Sequence, residues 1–268
     1  MAGVEMATLD GALAPVSETA LPITDGGLLR GDGIFEVMKL YEGKPFTLAE
    51  HLDRLERSGQ SLRIDVDRSA LEGEISRVLA ARGESNGLLR IVVTREGRRI
   101  VMTEPPLDLP RTLELAVVTY EPSLLLTGVK SLSYAGNWLA TRLARERGFH
   151  DALLVRRDDT VLEAPTSAMF WAKDDELFTP PLDAGILASV TRKVIIECCP
   201  VEERDCSLRD VLDADEIFLA SVSREVQPVS KVEGVDYPAE GPVTARSLEA
   251  FHDVVRAELG IEPAQAHR

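Results

Sequence analysis

Lys130 and Glu163 are the two side chains on which chemistry can be built. Lys130 lies in Val-Lys-Ser-Leu-Ser-Tyr just ahead of a helix-forming stretch, and Glu163 follows 33 residues later in Val-Leu-Glu-Ala-Pro-Thr-Ser. A lysine amine condenses with an aldehyde to an imine. A distant buried carboxylate can keep a ring nitrogen protonated, so that the ring draws electrons from a carbon attached to it. Alone, each residue is ordinary, since most lysines before helices and most loop carboxylates face water. Glu163, however, follows a hydrophobic pair and precedes the apolar run Ala168-Met-Phe-Trp171, a setting where burial would require a partner.

Two further segments offer an anion site. Gly185-Ile-Leu-Ala-Ser-Val-Thr-Arg192 reads as a turn leading into a helix, whose first amides and positive dipole end suit phosphate, with Thr191 adding a hydroxyl. Ser189 or Thr191 could equally serve as a simple N-cap. In Phe46-Thr-Leu-Ala-Glu-His-Leu-Asp-Arg54-Leu55, Arg54 flanks the apolar stripe and could give a bidentate contact to phosphate, although surface pairing is the commoner fate of an arginine. His51 reads as structural, because no second ligand or nucleophile sits at a motif spacing from it.

These side chains need a frame, and the chain is long enough for one: 268 residues, 44% hydrophobic. A net charge of −15 and a pI near 4.8 argue against nucleic-acid or anionic-membrane surfaces. Three cysteines, Cys198, Cys199 and Cys206, have neither disulfide arithmetic nor zinc spacing, which leaves free thiols and no metal site. The N-terminus lacks signal-peptide character and no long apolar run occurs, so a cytoplasmic protein is expected.

The pattern predicts a turn-rich stretch through Asp25-Gly-Gly and Gly31-Asp-Gly, then a strand over 34–41. Leu48, Leu52 and Leu55 mark a helix, and Asp67 caps another bearing Leu71, Ile75, Val78 and Leu79. Strands follow at 88–94 and 113–119. After a connection come a helix over 137–147, strands at 152–156, 168–172 and 176–179, a helix over 190–197, a strand at 216–220 and a helix over 244–259. This is an α+β order with domains expected at 1–119 and 130–268, joined by 120–129, and it disfavours a doubly wound sheet.

In this order, the blocks Gly31-Asp-Gly-Ile-Phe-Glu36, Glu50-His-Leu-Asp-Arg54-Leu55, Lys130-Ser-Leu-Ser-Tyr134, 163–171, 185–192 and 220–229 resemble the class IV, or fold-type IV, pyridoxal phosphate aminotransferases. That family includes branched-chain and D-amino-acid aminotransferases and 4-amino-4-deoxychorismate lyases. The resemblance implies a small N-terminal α/β sandwich, a larger C-terminal pseudo-barrel domain and a homodimer. It makes Lys130 the Schiff-base lysine and proton shuttle, pairs Glu163 with the pyridine nitrogen, and sets Tyr134 at the cofactor's 3-oxygen. Arg54, Val190, Thr191, Ser221 and Val222 fall at the phosphate, and Ser167 is also at the cofactor. The sequence departs from the family at Ala168, where Asn is usual, at Pro165, and at Val222, which removes a hydroxyl.

For the substrate the resemblance implies an amino acid and a 2-oxo acid. Arg98 and Arg99 compete to meet a carboxylate from a loop one residue shorter than the family's, or else are solvated arginines. Ser223 is also placed at the substrate. Phe35 stands where D-amino-acid enzymes carry Tyr, which suits a branched or hydrophobic side chain, and the substrate expected overall is a hydrophobic or small amino acid. The expected activity is transamination; a lyase and a binding protein with little turnover are the alternatives.

Overall fold

The computed structural model describes residues 4–261 and 263. Packing divides the chain into two compact units. The first is the chain up to Asp108 together with Val129–Tyr134, and the second is Leu109–Gly128 together with the chain from Ala135 onward.

In the first unit the elements are β1 (Met6–Leu9), β2 (Ala12–Pro15), α1 (Gly26–Arg30), β3 (Gly33–Tyr41), β4 (Lys44–Pro45), α2 (Leu48–Leu62), α3 (Arg68–Arg82), β5 (Gly87–Thr94) and β6 (Arg99–Glu104). The strands form one sheet in the order β2-β1-β6-β5-β3-β4, antiparallel throughout. Ile34, Met38 and Leu40 of β3 meet Leu52 and Leu55 of α2 and Leu71, Ile75 and Val78 of α3 in one buried cluster. The predicted Asp67 cap is present, its side chain accepting from the Ala70 amide.

Strands β1, β2 and β6 were absent from the sequence expectation. So was α1, which occupies the stretch read as turns: Asp25 caps it by accepting from the Gly27 amide, and Gly31 ends it at φ 67°.

The second unit contains β7 (Leu113–Thr119), α4 (Ala135–Glu146), β8 (Asp151–Val155), β9 (Ala168–Lys173), β10 (Glu176–Thr179), α5 (Val190–Cys198), β11 (Val201–Glu203), α6 (Leu208–Leu212), β12 (Glu216–Ser221), β13 (Glu225–Val232), β14 (Val235–Asp236) and α7 (Pro242–Leu259). The main path is β11-β10-β9-β12-β13-β7-β8, with β14 on β13. Pairing is mixed: β7 runs parallel to both β8 and β13, while β9, β12 and β13 are antiparallel. Trp171, Met169, Ile217 and Leu219 anchor a core cluster, with Phe170 stacked on Phe218 at 4.8 Å.

The division by packing departs from the expected 119/130 boundary for a backbone reason. β7 finds its ladder partners in β8 and β13, so it packs with the second unit. Residues 130–132 instead bond to the start of β3, through Phe35 N–H to the Lys130 carbonyl (3.0 Å) and Leu132 N–H to the Gly33 carbonyl (2.8 Å). Lys130 is therefore built into the first unit.

Candidate active site

In the first unit, Lys130 is fixed from both sides of its backbone. Its carbonyl is taken by Phe35, and its N–H donates to Ser58 Oγ at 3.2 Å. Its Nζ lies 4.3 Å from the centroid of the Phe35 ring and 5.5 Å from that of Tyr134, and the two rings meet edge to face at 5.2 Å. Expected substrate residue Phe35, expected cofactor residue Tyr134 and the lysine are thus brought together. An ammonium against two aromatic rings keeps a defined position, a contact worth about 0.5–2 kcal/mol.

Arg54, expected at phosphate, is buried and bound to Glu36: Nε donates to Oε1 at 2.6 Å and an NH2 donates to Oε2 at 2.7 Å. His51 Nδ1 lies 2.8 Å from the same Oε2, and because an ionised carboxylate only accepts, Nδ1 carries the proton. Burial opposes ionisation of Glu36, yet the Arg54 guanidinium and the His51 hydrogen bond outweigh it and bring the carboxyl down to about 2. Burial lowers the His51 pKa, and the charges of Arg54 and Lys130 push the same way. The sequence reading gave Glu36 no role. Its signal was a carboxylate on the same face of β3 as the apolar Ile34 and Met38, with the strand's one cation, Lys39, on the opposite face.

Arg98 and Arg99 have carboxylate partners in their own unit. Arg98 donates to Asp10 Oδ2 at 2.9 Å, and Arg99 Nε donates to Glu74 Oε1 at 3.0 Å.

In the second unit, Glu163 is half-buried, and its Oε1 accepts from the Leu187 amide at 3.1 Å. Its charge adds to burial in raising the Tyr120 pKa. The next residues close a tight turn, Ala164 N–H to the Ser167 carbonyl at 2.9 Å, and Asn137 of α4 donates to the Pro165 carbonyl at 2.7 Å. The proline thus leaves the turn well bonded.

Val190 and Thr191 are buried in the first turn of α5. Ser189 caps it by accepting from the Arg192 amide, while helix geometry gives the Val190 and Thr191 amides no partner four residues back. The 222–224 turn joins β12 to β13, with Ser221, Val222 and Ser223 partly exposed and Glu225 held at φ 55°. Among the described residues Ser221 Oγ is buried without a hydrogen-bond partner.

Ser167 Oγ accepts from Arg224 Nε at 3.1 Å, and Arg224 also donates to Asp151 Oδ2 at 3.0 Å and to Gln227 Oε1 at 2.6 Å. Sequence reasoning missed Arg224, although it is the one charged residue in the turn. Among the described residues no cluster of His, Cys, Asp or Glu is placed to hold a metal, and no helix is long and apolar enough to cross a membrane.

A family described as amino-transferase class IV matches residues 33–232. A Methanocaldococcus jannaschii protein provisionally named branched-chain-amino-acid aminotransferase is 31% identical, covering 95% of this chain and 97% of its own. The D-alanine aminotransferase of Listeria innocua is 31% identical over 90% of this chain and 93% of its own. Among solved structures, a fold IV-transaminase from Curtobacterium pusillum superposes with a TM-score of 0.85 at 26% identity, covering 96% of this chain and 99% of that one.

Proposed function

The chain belongs to the class IV aminotransferase family, a pyridoxal phosphate-dependent family, and from that premise we propose that it moves the amino group of a hydrophobic or small amino acid to a 2-oxo acid with Lys130 as its catalytic residue. The observation that carries this reading is the lysine itself, held at both backbone ends with its amine against Phe35 and Tyr134. The lyase and the turnover-poor binder gain no support, because the named relatives are aminotransferases.

The donor set fits pyridoxal phosphate. The α5 amides at Val190 and Thr191, and the buried Ser221 hydroxyl that has no partner among the described residues, suit a phosphate. Glu163 suits a protonated ring nitrogen and Tyr134 the 3-oxygen, and Ser167 and Val222 are proposed beside the same group. When bound, this cofactor supplies the electron sink that acidifies the substrate Cα–H. Lys130 Nζ takes the Cα proton in its neutral form and returns it. Glu163 would accept a hydrogen bond from the protonated ring nitrogen and so keep the proton there. Arg54, whose charge Glu36 matches, would be the arginine of the phosphate site.

Phe35 offers the substrate an apolar ring, consistent with a hydrophobic or small side chain, while Arg98 or Arg99 and Ser223 are proposed for its carboxylate. The two relatives' names point to different substrates, so handedness is the finer question. A homodimer is proposed from exposed apolar side chains of the second unit, Leu124 and Leu125 (94% and 89%) with the half-exposed Trp138 and Leu139, which a second copy would cover. A cytoplasmic location accords with three free thiols.

The test is spectroscopic. Protein incubated with pyridoxal phosphate and desalted is expected to keep a visible absorption band, and Lys130→Ala to lose it. A wild-type protein that stays colourless overturns the proposal. Bleaching of that band by L-leucine but not D-alanine, or the reverse, then assigns the donor.

A further inference from the structure

Helix α5 ends on two adjacent cysteines that the aminotransferase reading leaves unused. Neighbouring side chains on a helix point about 100° apart, which would keep two sulfurs separate. Here Pro200 follows, and the residue before a proline is driven out of the helical region. Cys199 accordingly sits at φ −127°, ψ 149°, just past the last helical residue Cys198. That break swings its side chain back, and the two sulfurs lie 3.7 Å apart, both half-buried and so within reach of a small reagent.

The two thiols are also electrostatically unequal. A hydrogen bond from Cys198 outweighs burial and brings Cys199 down to about 7, with the nearby Arg246 guanidinium helping, while the same contact and burial push Cys198 up. Ser247 lies beside this sulfur too, but its hydroxyl donates to the Val243 carbonyl at 2.8 Å. Cys206 differs: it is fully buried in the core, and burial raises its thiol well above the usual range.

We propose that Cys198 and Cys199 are a redox-active vicinal dithiol that low-molecular-weight disulfides oxidise to an intramolecular disulfide. Cys199 Sγ, as thiolate, attacks one sulfur of the reagent disulfide. That S–S bond breaks, one small thiol leaves and takes up a proton, and Cys199 carries a mixed disulfide. Cys198 then loses its proton and attacks Cys199 Sγ, expelling the second small thiol, so two protein thiols are oxidised while one disulfide is reduced to two thiols. Adjacent Cα atoms are about 3.8 Å apart, less than the usual disulfide span, so the closed ring is easily reopened by excess thiol.

The test uses the full-length protein, oxidised glutathione as the reagent and intact-mass spectrometry as the readout. The wild type is expected to lose two hydrogens without retaining glutathione, and dithiothreitol to restore the starting mass. Cys198→Ser should stop at a stable glutathione adduct, Cys199→Ser should lose at least 90% of the reaction, and Cys206→Ser should behave as wild type. Melting curves establish that each variant is folded. A wild-type protein that stays unmodified, that retains the adduct, or whose reaction depends on Cys206 overturns the proposal.

Discussion

In the first unit the buried polar groups around the candidate site are charged and matched to one another. Glu36, wholly buried, is held by Arg54 and His51 on the neighbouring helix. In the second unit the groups proposed for the cofactor are mostly uncharged donors, namely two helix-start amides and the Ser221 hydroxyl, beside the half-buried Glu163 carboxylate, which accepts from the Leu187 amide; the Arg224–Asp151 pair behind Ser167 is the charged exception. The contrast separates two duties. A matched buried ion pair acts mostly on whether the unit folds, because removing one member leaves the other desolvated. Open neutral donors act mostly on what binds, because water or a ligand completes them at little cost to the fold.

Glu36→Gln probes the first half of that contrast most severely. It keeps the shape but takes the carboxylate from a buried guanidinium, and the expected loss is about 3–5 kcal/mol of stability, read as a fall in the denaturant midpoint at unchanged m. A loss below about 1 kcal/mol would mean that the pair is not stabilising and would erase the distinction between the units.

Glu163→Gln is the matching change in the second unit, and there the effect should fall on rate. Because Glu163 is partly exposed, its loss is expected to leave the melting temperature within a few degrees while kcat drops about 10²–10³-fold, the size seen when one preorganised electrostatic group is removed. If stability instead fell as far as in Glu36→Gln, the second unit would be governed by the same ion matching as the first.

Acid titration sharpens the comparison without mutation. Glu36 is held at about 2 against an ordinary 4.5, so its contribution to stability is present above about pH 4.5 and is lost as pH falls toward 2. The difference corresponds to about 3 kcal/mol. His51, held neutral by burial, adds a separate loss that begins below its ordinary 6.5, where the unfolded chain takes up the proton first. Stability measured by denaturant at each pH should therefore decline in two stages, and Glu36→Gln should flatten the lower one. An unchanged lower stage in that variant would assign the acid sensitivity to other carboxylates.

The same contrast explains what could be read from the sequence. Periodicity found α2, α3, α5 and α7 because each buries a continuous apolar stripe, and the family blocks placed Lys130 beside Tyr134 and Phe35. The hairpin of β1 and β2 was legible in principle: Asp10-Gly11 adopts positive φ at both residues (49° and 86°), the backbone of a tight two-residue turn, but flanking strands of four residues give too short an alternation to register. β6 was hidden because its first residue, Arg99, was read with the loop before it, whereas that side chain pairs with Glu74 on α3. Glu36 and Arg224 escaped for one physical reason: the opposite charge that matches each lies 18 or more residues away, Arg54 for Glu36 and Asp151 for Arg224, and only the fold reveals that a buried charge is matched.

Ser221→Ala is the mildest probe and the most direct for the second unit. Removing a buried hydroxyl that makes no hydrogen bond to the described residues relieves a desolvation cost, so the variant should be as stable as wild type or slightly more so. If that oxygen is completed by phosphate, the same change should weaken cofactor binding about tenfold, equivalent to about 1.4 kcal/mol, measured by equilibrium titration of the apoprotein with pyridoxal phosphate. Inorganic phosphate should compete with the cofactor in wild type, and less effectively in the variant. Opposite signs on stability and affinity are the signature of a group kept for a ligand. Destabilisation together with unchanged affinity would instead make Ser221 a structural hydroxyl, and the proposed phosphate site would then rest on the α5 amides and Arg54.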